Sequence, residues 1–466
     1  MSDNKDGVVV SEVNMETTKT SEDVKKENEV LEKELQPKAK KVSIQDVLKE
    51  KEENKGRKSS MPVILVDQQD RSINIGVVGV GQCGSKLAEE FYNRGYPVVV
   101  INTAMQDLKY INVPEKQKLF LDYALGGAAK DLETGQAAAE EYSEAITEML
   151  QGHLSESDVL LLATSGGGGT GSGSAETMVK IMSGMGKPLS VIFVLPLVSE
   201  DVLSKFNALS TLSKLAKLAK DDVINSLIVV DNAKMELMHA GRSMADFWKI
   251  ANNAIVEPLH LFNQLSANSS AYTSLDPMDF SRLFIGTGDC ALYGTITVEN
   301  YLEDDAIAEA MLTSVENGLL ASDFDLTQTR SAGVIITGTK AVLEKIPAAN
   351  LEYGFAMLSK ICNEGTRVFR GVYESSGKDN VLHIYSFFSG LGLPEDRIQE
   401  LKLEAEKHME ILKSKENSRA STMVIDMGRT QTVSAADALH KKITQKHSAM
   451  GKLTNNSKRV IDKRRR

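Results

Sequence analysis

From Ser72 onward, short apolar runs alternate with stretches of mixed polarity. Runs at 73–78, 98–101, 118–121, 159–163, 190–195 and 227–230 read as strands, and helical patterns fill the gaps. Continuous apolar runs, rather than in–out alternation, mark strands buried on both faces. Strand–helix alternation of this kind predicts a parallel sheet covered by helices, with ligands at the carboxyl ends of the strands. A long helical pattern follows at 244–265. After Asp279 the rhythm changes: strand-like runs at 283–285, 333–338, 371–373 and 381–387 surround helices near 303–317, 340–346 and 356–362. A charged helix begins at Glu395. The fold class predicted is α/β: a Rossmann-like parallel-sheet domain, a long central helix, a second α/β domain, then a C-terminal helix and a basic tail. The divisions fall at 1–70, 71–241, 242–272, 273–394, 395–416 and 417–466.

The 466 residues, 42% of them hydrophobic, suffice for two cored domains plus extensions. No apolar run approaches the ~20 residues of a membrane span. The first sixty residues are rich in Lys, Glu, Ser and Asn, which predicts disorder. Two helically spaced patches, Val24, Leu31 and Leu35, then Ile44, Val47 and Leu48, interrupt them. Cys83, Cys290 and Cys362 are widely separated and form no metal or disulfide spacing, in keeping with a reducing cytoplasm. Charge is uneven. Ten Lys or Arg against one acid, Asp462, make 440–466 a +9 tail on a chain whose total is −10. An acidic body with a basic tail points to an anionic partner for the tail, such as DNA, an acidic protein surface or a membrane, or else to a merely solvated tail.

Chemistry concentrates in glycine loops. Ser165–Ser174 reads SGGGGTGSGS between the apolar run 158–163 and a helical pattern at 175–185. A glycine loop between a buried strand and a helix N-terminus aims backbone N–H groups and the helix dipole at an anion, usually phosphate. A Walker A loop would need Lys and then Ser/Thr after the last glycine, and Ser174-Ala175 stand there instead. Gly79, Gly81 and Gly84 match the dinucleotide spacing. However, the second strand ends in Asn102-Thr103-Ala104 with no acid for a ribose, which counts against NAD.

Taken together, the two loops resemble those of the tubulin/FtsZ superfamily of GTP-dependent filament proteins. GGGTGSG at 167–173 is similar to its signature, and GQCGSK at 81–86 looks like the tubulin form of its first loop. INTAMQDL at 101–108, ALGGAAKDLETGQAAAEE at 124–141, VDNAKMEL at 230–237 and LDPMDF at 275–280 resemble the second, third, sixth and seventh loops, in order. The resemblance spans roughly 72–393 and identifies 71–241 as a GTP-binding domain and 273–394 as an activation domain.

What the resemblance implies is specific. Gly81, Gln82, Cys83, Gly84, Gly126, Gly127, Ala128, Gly167, Gly168, Gly169, Thr170, Gly171 and Ser172 would surround the phosphates of GTP or GDP. Glu200 would meet the ribose. Asn232, Trp248 and Asn252 would read guanine, with Asn253 the neighbouring candidate. Trp248 and Asn252, four apart, share a helix face. Mg²⁺ would be held mainly by phosphates and water, with no metal ligand from the protein. Asp276 and Asp279 would act on the GTP of the next subunit, so hydrolysis requires head-to-tail association and the contact builds a filament. The same Asp-Pro-Met-Asp can also start a helix, and both roles can hold together. Ala104 replaces the usual acid of the second loop, Ser274 stands where FtsZ proteins carry Asn, and the third loop is one residue longer.

The basic tail is more like that of the plasmid and phage TubZ or PhuZ type, in which the tail engages a DNA-bound adaptor, than the acidic tails of tubulins. The implied role is segregation or positioning of plasmid or phage DNA in a host cytoplasm. An FtsZ-like division filament, a polymerising scaffold with little GTPase activity and a Rossmann oxidoreductase are the alternatives.

Overall fold

The computed structural model describes residues 70–422, apart from 240, 242, 287, 315–319, 364 and 378. The N-terminal patches and the basic tail lie outside the described residues.

Six strands build the first half: β1 (Ile75–Val80), β2 (Val98–Asn102), β3 (Lys118–Phe120), β4 (Val159–Ser165), β5 (Leu189–Leu195) and β6 (Ser226–Asp231). Their order is β3-β2-β1-β4-β5-β6, all parallel. This is the doubly wound order, with the switch between β1 and β4, where ligands bind beyond the strand ends. Every residue of β1, β2, β5 and β6 is buried, as their largely apolar composition leads one to expect.

Helices cover both faces of this sheet: α1 (Gly81–Asn93), α2 (Met105–Lys109), α3 (Leu132–Glu141), α4 (Ser143–Leu154), α5 (Thr170–Ser183), α6 (Val202–Lys220) and α7 (Asn232–Met238). The long helix α8 (Met244–Leu265) is capped by Ser243, whose hydroxyl accepts the Asp246 N–H. It is stitched to the start of the first strand by Asn263, which accepts the Ile73 N–H at 2.9 Å and donates to the Ile73 carbonyl at 2.8 Å. On its other side Tyr293 donates to the Ile255 carbonyl at 2.7 Å.

The second half contributes α9 (Pro277–Ile285), β7 (Asp289–Val298), α10 (Ala306–Thr313), β8 (Ser331–Gly338), α11 (Lys340–Leu343), α12 (Ala348–Cys362), β9 (Arg367–Glu374), β10 (Leu382–Leu391) and α13 (Glu395–Thr422). Its strands continue the same sheet. β7 pairs parallel with β6, then antiparallel with β10, and the order runs on to β8 and β9. The run 283–285, expected as a strand, is instead the last turn of α9. Asp276 and Asp279 form a capping box with Pro277 behind it, and Phe280, Leu283 and Phe284 then fall on one buried helix face. A three-residue apolar run carries no period of its own, so the cap decides. The strand that does join the two halves, β7, was not expected from the pattern.

Candidate functional site

Two helix N-termini meet beyond the switch point. α5 begins at Thr170 and α1 at Gly81, and neither has a side-chain cap. The first N–H groups of an α-helix have no partner within it, so both ends present unpaired donors and a positive dipole end. The two loops touch. Gly81 has φ +74°, and a Cβ placed on it would lie 2.9 Å from the Gly171 nitrogen. Gly84 serves packing instead: a Cβ there would fall 2.1 Å from the Ala163 carbonyl oxygen, so only glycine lets α1 lie against β4.

A cleft of about 450 Å³ opens at this point, lined by Gly81, Gln82, Cys83, Gly167, Gly168, Gly171, Glu200, Asn232, Trp248 and Asn252. The volume lies in the range of small-ligand sites. These ten residues, drawn from four loops and the long helix, line the one cleft. Glu200 accepts the Leu197 N–H at 3.0 Å through one carboxylate oxygen, while the other lies where a Gly167 side chain would be. Trp248 packs edge-on against Phe247 with ring centroids 5.0 Å apart. Asn252 faces the cleft, whereas Asn253 accepts a hydrogen bond from Arg94, which also pairs with Glu257 at 2.8 Å.

Other expected residues support the cleft without lining it. The Thr103 and Thr170 hydroxyls are 2.6 Å apart, and the Ala128 N–H donates to Thr103 at 3.1 Å, which ties the second and third loops to the start of α5. The Ser172 hydroxyl lies 2.6 Å from the Gly166 carbonyl and so braces its own loop. Gly126 and Gly127 take φ +81° and +102° in the turn before Ala128. Gly169 sits against Ala128 and the Lys130 backbone.

Lys86 and Lys130, which the motif reading passed over, also line the cleft. Lys130 pairs with Asp201 at 2.7 Å, the residue that caps α6. Asp107, three residues beyond Ala104, accepts from Asn102 at 3.1 Å and lies 3.5 Å from the Gln82 amide. Both signals were present in the sequence as charged residues inside the loops. Burial pushes the Cys83 thiol up to about 11, so it stays protonated and non-nucleophilic at neutral pH. No cluster of three His, Cys, Asp or Glu suited to a metal occurs among the described residues.

Asp276 and Asp279 lie elsewhere. Their helix α9 shares a surface hollow with Ser72, Ile73, Asp158 and Val159, at the amino ends of β1 and β4. The cleft is at the carboxyl ends. The seven residues of β4 put roughly 20 Å between the two levels. Asp276 accepts the Asp279 N–H at 2.8 Å and caps α9. Burial, and then the neighbouring Asp276 charge, raise the Asp279 carboxyl above its usual value. Ser274 accepts the Ser270 N–H at 2.8 Å, and Tyr373 grips the loop by accepting the Leu275 N–H at 2.8 Å and donating to the Leu275 carbonyl at 3.1 Å.

Comparison with known proteins agrees with this geometry. Residues 74–239 match the GTPase domain of the tubulin/FtsZ family, and residues 262–402 match the C-terminal domain of TubZ-like tubulin/FtsZ-like proteins. The tubulin-like protein CetZ of Pyrococcus abyssi is 25% identical over 361 residues, 74% of this chain and 93% of that protein. The tubulin-like protein TubZ of Bacillus cereus is 21% identical over 381 residues, 74% of this chain and 86% of that protein. A GTPγS-form protofilament of TubZ from Bacillus thuringiensis serovar israelensis superposes with a TM-score of 0.68 at 20% identity, covering 77% of this chain and 96% of that one. On its two matched domains, its sheet order and its loop set, the chain belongs to the tubulin/FtsZ superfamily and is TubZ-like in its C-terminal domain.

Proposed function

We propose that this protein binds GTP in the cleft between α1 and α5, hydrolyses it with the acids of a second copy, and polymerises head-to-tail. The observation that carries the reading is the pair of uncapped helix N-termini meeting at Gly81 and Gly171. They offer N–H donors to a triphosphate without requiring a P-loop lysine. Asn232 and Asn252 have the donor and acceptor groups to read a purine edge, and Trp248 has the face to stack on it. Mg²⁺ would neutralise phosphate charge, bound through phosphate oxygens and water.

The separation of Asp276 and Asp279 from the cleft supports the need for a second molecule. A contact that joins opposite ends of one molecule is heterologous and does not close, so it propagates as a filament. Segregation or positioning of plasmid or phage DNA, through a DNA-bound adaptor at 440–466, is the role that the TubZ-like C-terminal domain and the +9 tail favour together. Ala104 favours one second reading, a filament with slow turnover.

The test is right-angle light scattering with parallel phosphate release on adding GTP and Mg²⁺. A rise and decay in wild type, with a persistent rise in Asp279→Ala, is expected. No rise at any concentration would sink the proposal. Removal of 440–466 should leave scattering intact and abolish capture of DNA or of its bound adaptor.

A further inference from the structure

Two buried charges join the C-terminal helix to the base side of the cleft. Asp231 ends β6 immediately before Asn232 and is 2% exposed. One of its oxygens accepts the Ala233 N–H at 3.0 Å and caps α7. The other accepts from Arg397 Nε at 2.6 Å. Arg397 is 5% exposed and comes from the first turn of α13, 166 residues further along the chain. A helix cap needs only one carboxylate oxygen. A second oxygen buried with an opposing guanidinium is a separate commitment, because a buried carboxylate without its partner is strongly unfavourable.

The same helix reaches the neighbouring loop. Glu404, two turns on from Arg397 and 3.1 Å from it, pairs at 2.9 Å with Lys205. Lys205 is fully buried and donates to the Val198 carbonyl at 2.8 Å, inside the loop whose Pro196, Leu197 and Glu200 line the cleft. α13 therefore holds the Asn232 turn directly and the Glu200 loop at one remove. The glycine loops of the phosphate side take no part. α13 also packs on α6 through apolar side chains, with Leu401 and Ala405 fully buried. A hollow of about 630 Å³ lies between them, bounded by Leu212, Ala216, Leu393 and Ile398.

We infer that Arg397 is a positioning residue for base recognition: through Asp231 it sets the turn that presents Asn232, and with Glu404 it makes the C-terminal helix a structural part of the nucleotide site. The inference rests on the cleft being a GTP site.

The test compares equilibrium binding of GTP, ATP and inorganic triphosphate to the full chain, with thermal melting alongside. The variants are Arg397→Lys, Arg397→Met, and Asp231→Asn with Arg397→Met, the last removing both charges so that neither is left unpaired. GTP affinity is expected to fall about tenfold, as for one misplaced hydrogen-bonding pair. Affinity for ATP and triphosphate should hold, so the preference for guanine shrinks, least in Arg397→Lys. Variants that melt cooperatively and keep the wild-type GTP:ATP ratio would overturn the inference. So would failure of all three to fold while Glu404→Gln folds and binds normally, since Arg397 would then serve stability alone. Wild type that binds no GTP would instead remove the proposed function beneath it.

Discussion

The hydroxyls of Thr103 and Thr170 lie 2.6 Å apart in the interior, joining the loop after β2 to the first residue of α5. Thr103 also accepts the Ala128 N–H, so one hydroxyl holds three of the cleft's loops in register. Thr103→Val keeps the shape and removes the bonds. It should cost about 1–3 kcal/mol of stability, the penalty for an unsatisfied buried donor. It should also weaken GTP more than guanosine in titration calorimetry. Equal losses for both ligands would show that these loops do not set the phosphate side.

The placement of Asp276 and Asp279 at the far end of the strands makes complementation possible. Asp279→Ala retains an intact cleft and lacks an acid, whereas Trp248→Ala has its acids and a damaged cleft. Each alone should release phosphate slowly. A mixture should regain part of the wild-type rate, because some junctions pair an intact cleft with intact acids. A mixture no faster than its components would place the acids' action within one molecule.

Asn252 and Asn253 are adjacent, yet only the first lines the cleft. Asn252→Ala should lower the preference for GTP over ATP with little change in melting temperature. Asn253→Ala disturbs the Arg94–Glu257 cluster and should lower the melting temperature without changing nucleotide preference. The reverse pattern would exchange their roles.

Tyr373 both accepts from and donates to Leu275, one residue before the acid pair. Tyr373→Phe should lower kcat several-fold at unchanged GTP affinity, because the acid loop moves while the cleft does not. It should cost about 1–2 kcal/mol in urea unfolding. A loss of affinity with kcat intact would contradict this.

His260 sits beside the Tyr96 hydroxyl, 3.2 Å from its Nδ1. Burial, and then the Arg94 and Arg71 charges, push its pKa down to about 3 from 6.5. The fold keeps it neutral, whereas the unfolded chain protonates below about 6.5. Its contribution to stability is therefore fully present above that pH and lost as pH falls toward 3, at most about 1.4 kcal/mol per unit. His260→Gln should flatten the decline in urea midpoint between pH 6.5 and 5 relative to wild type. An unchanged decline would show that His260 titrates alike in both states.

Much of the nucleotide half was legible in the chain. Each glycine loop is one contiguous segment between a buried strand and a helix, so its role follows from local pattern, and the strand runs were long enough to recognise. The second half was less so. Residues 283–285 looked like a strand because three apolar residues carry no period, and the capping box at Asp276 and Asp279 made them helix. β7, with Gly294 and Thr297 among its apolar positions, pairs on both sides and owes its state to β6 and β10. Lys86 and Lys130 were visible as residues, but nothing local said that they face the cleft.

The sequence by itself determined the order of loops and strands and the chemistry they offer, because phosphate cradles and buried strands are encoded within a few consecutive residues. Only the tertiary structure decided which of two neighbouring asparagines faces the cleft, that Tyr373 grips the loop before the acid pair, and that Arg397 holds Asp231. Those relationships join residues far apart along the chain. They depend on how helices seat on the sheet and on which buried charges must find each other, and neither leaves a periodic trace in the sequence.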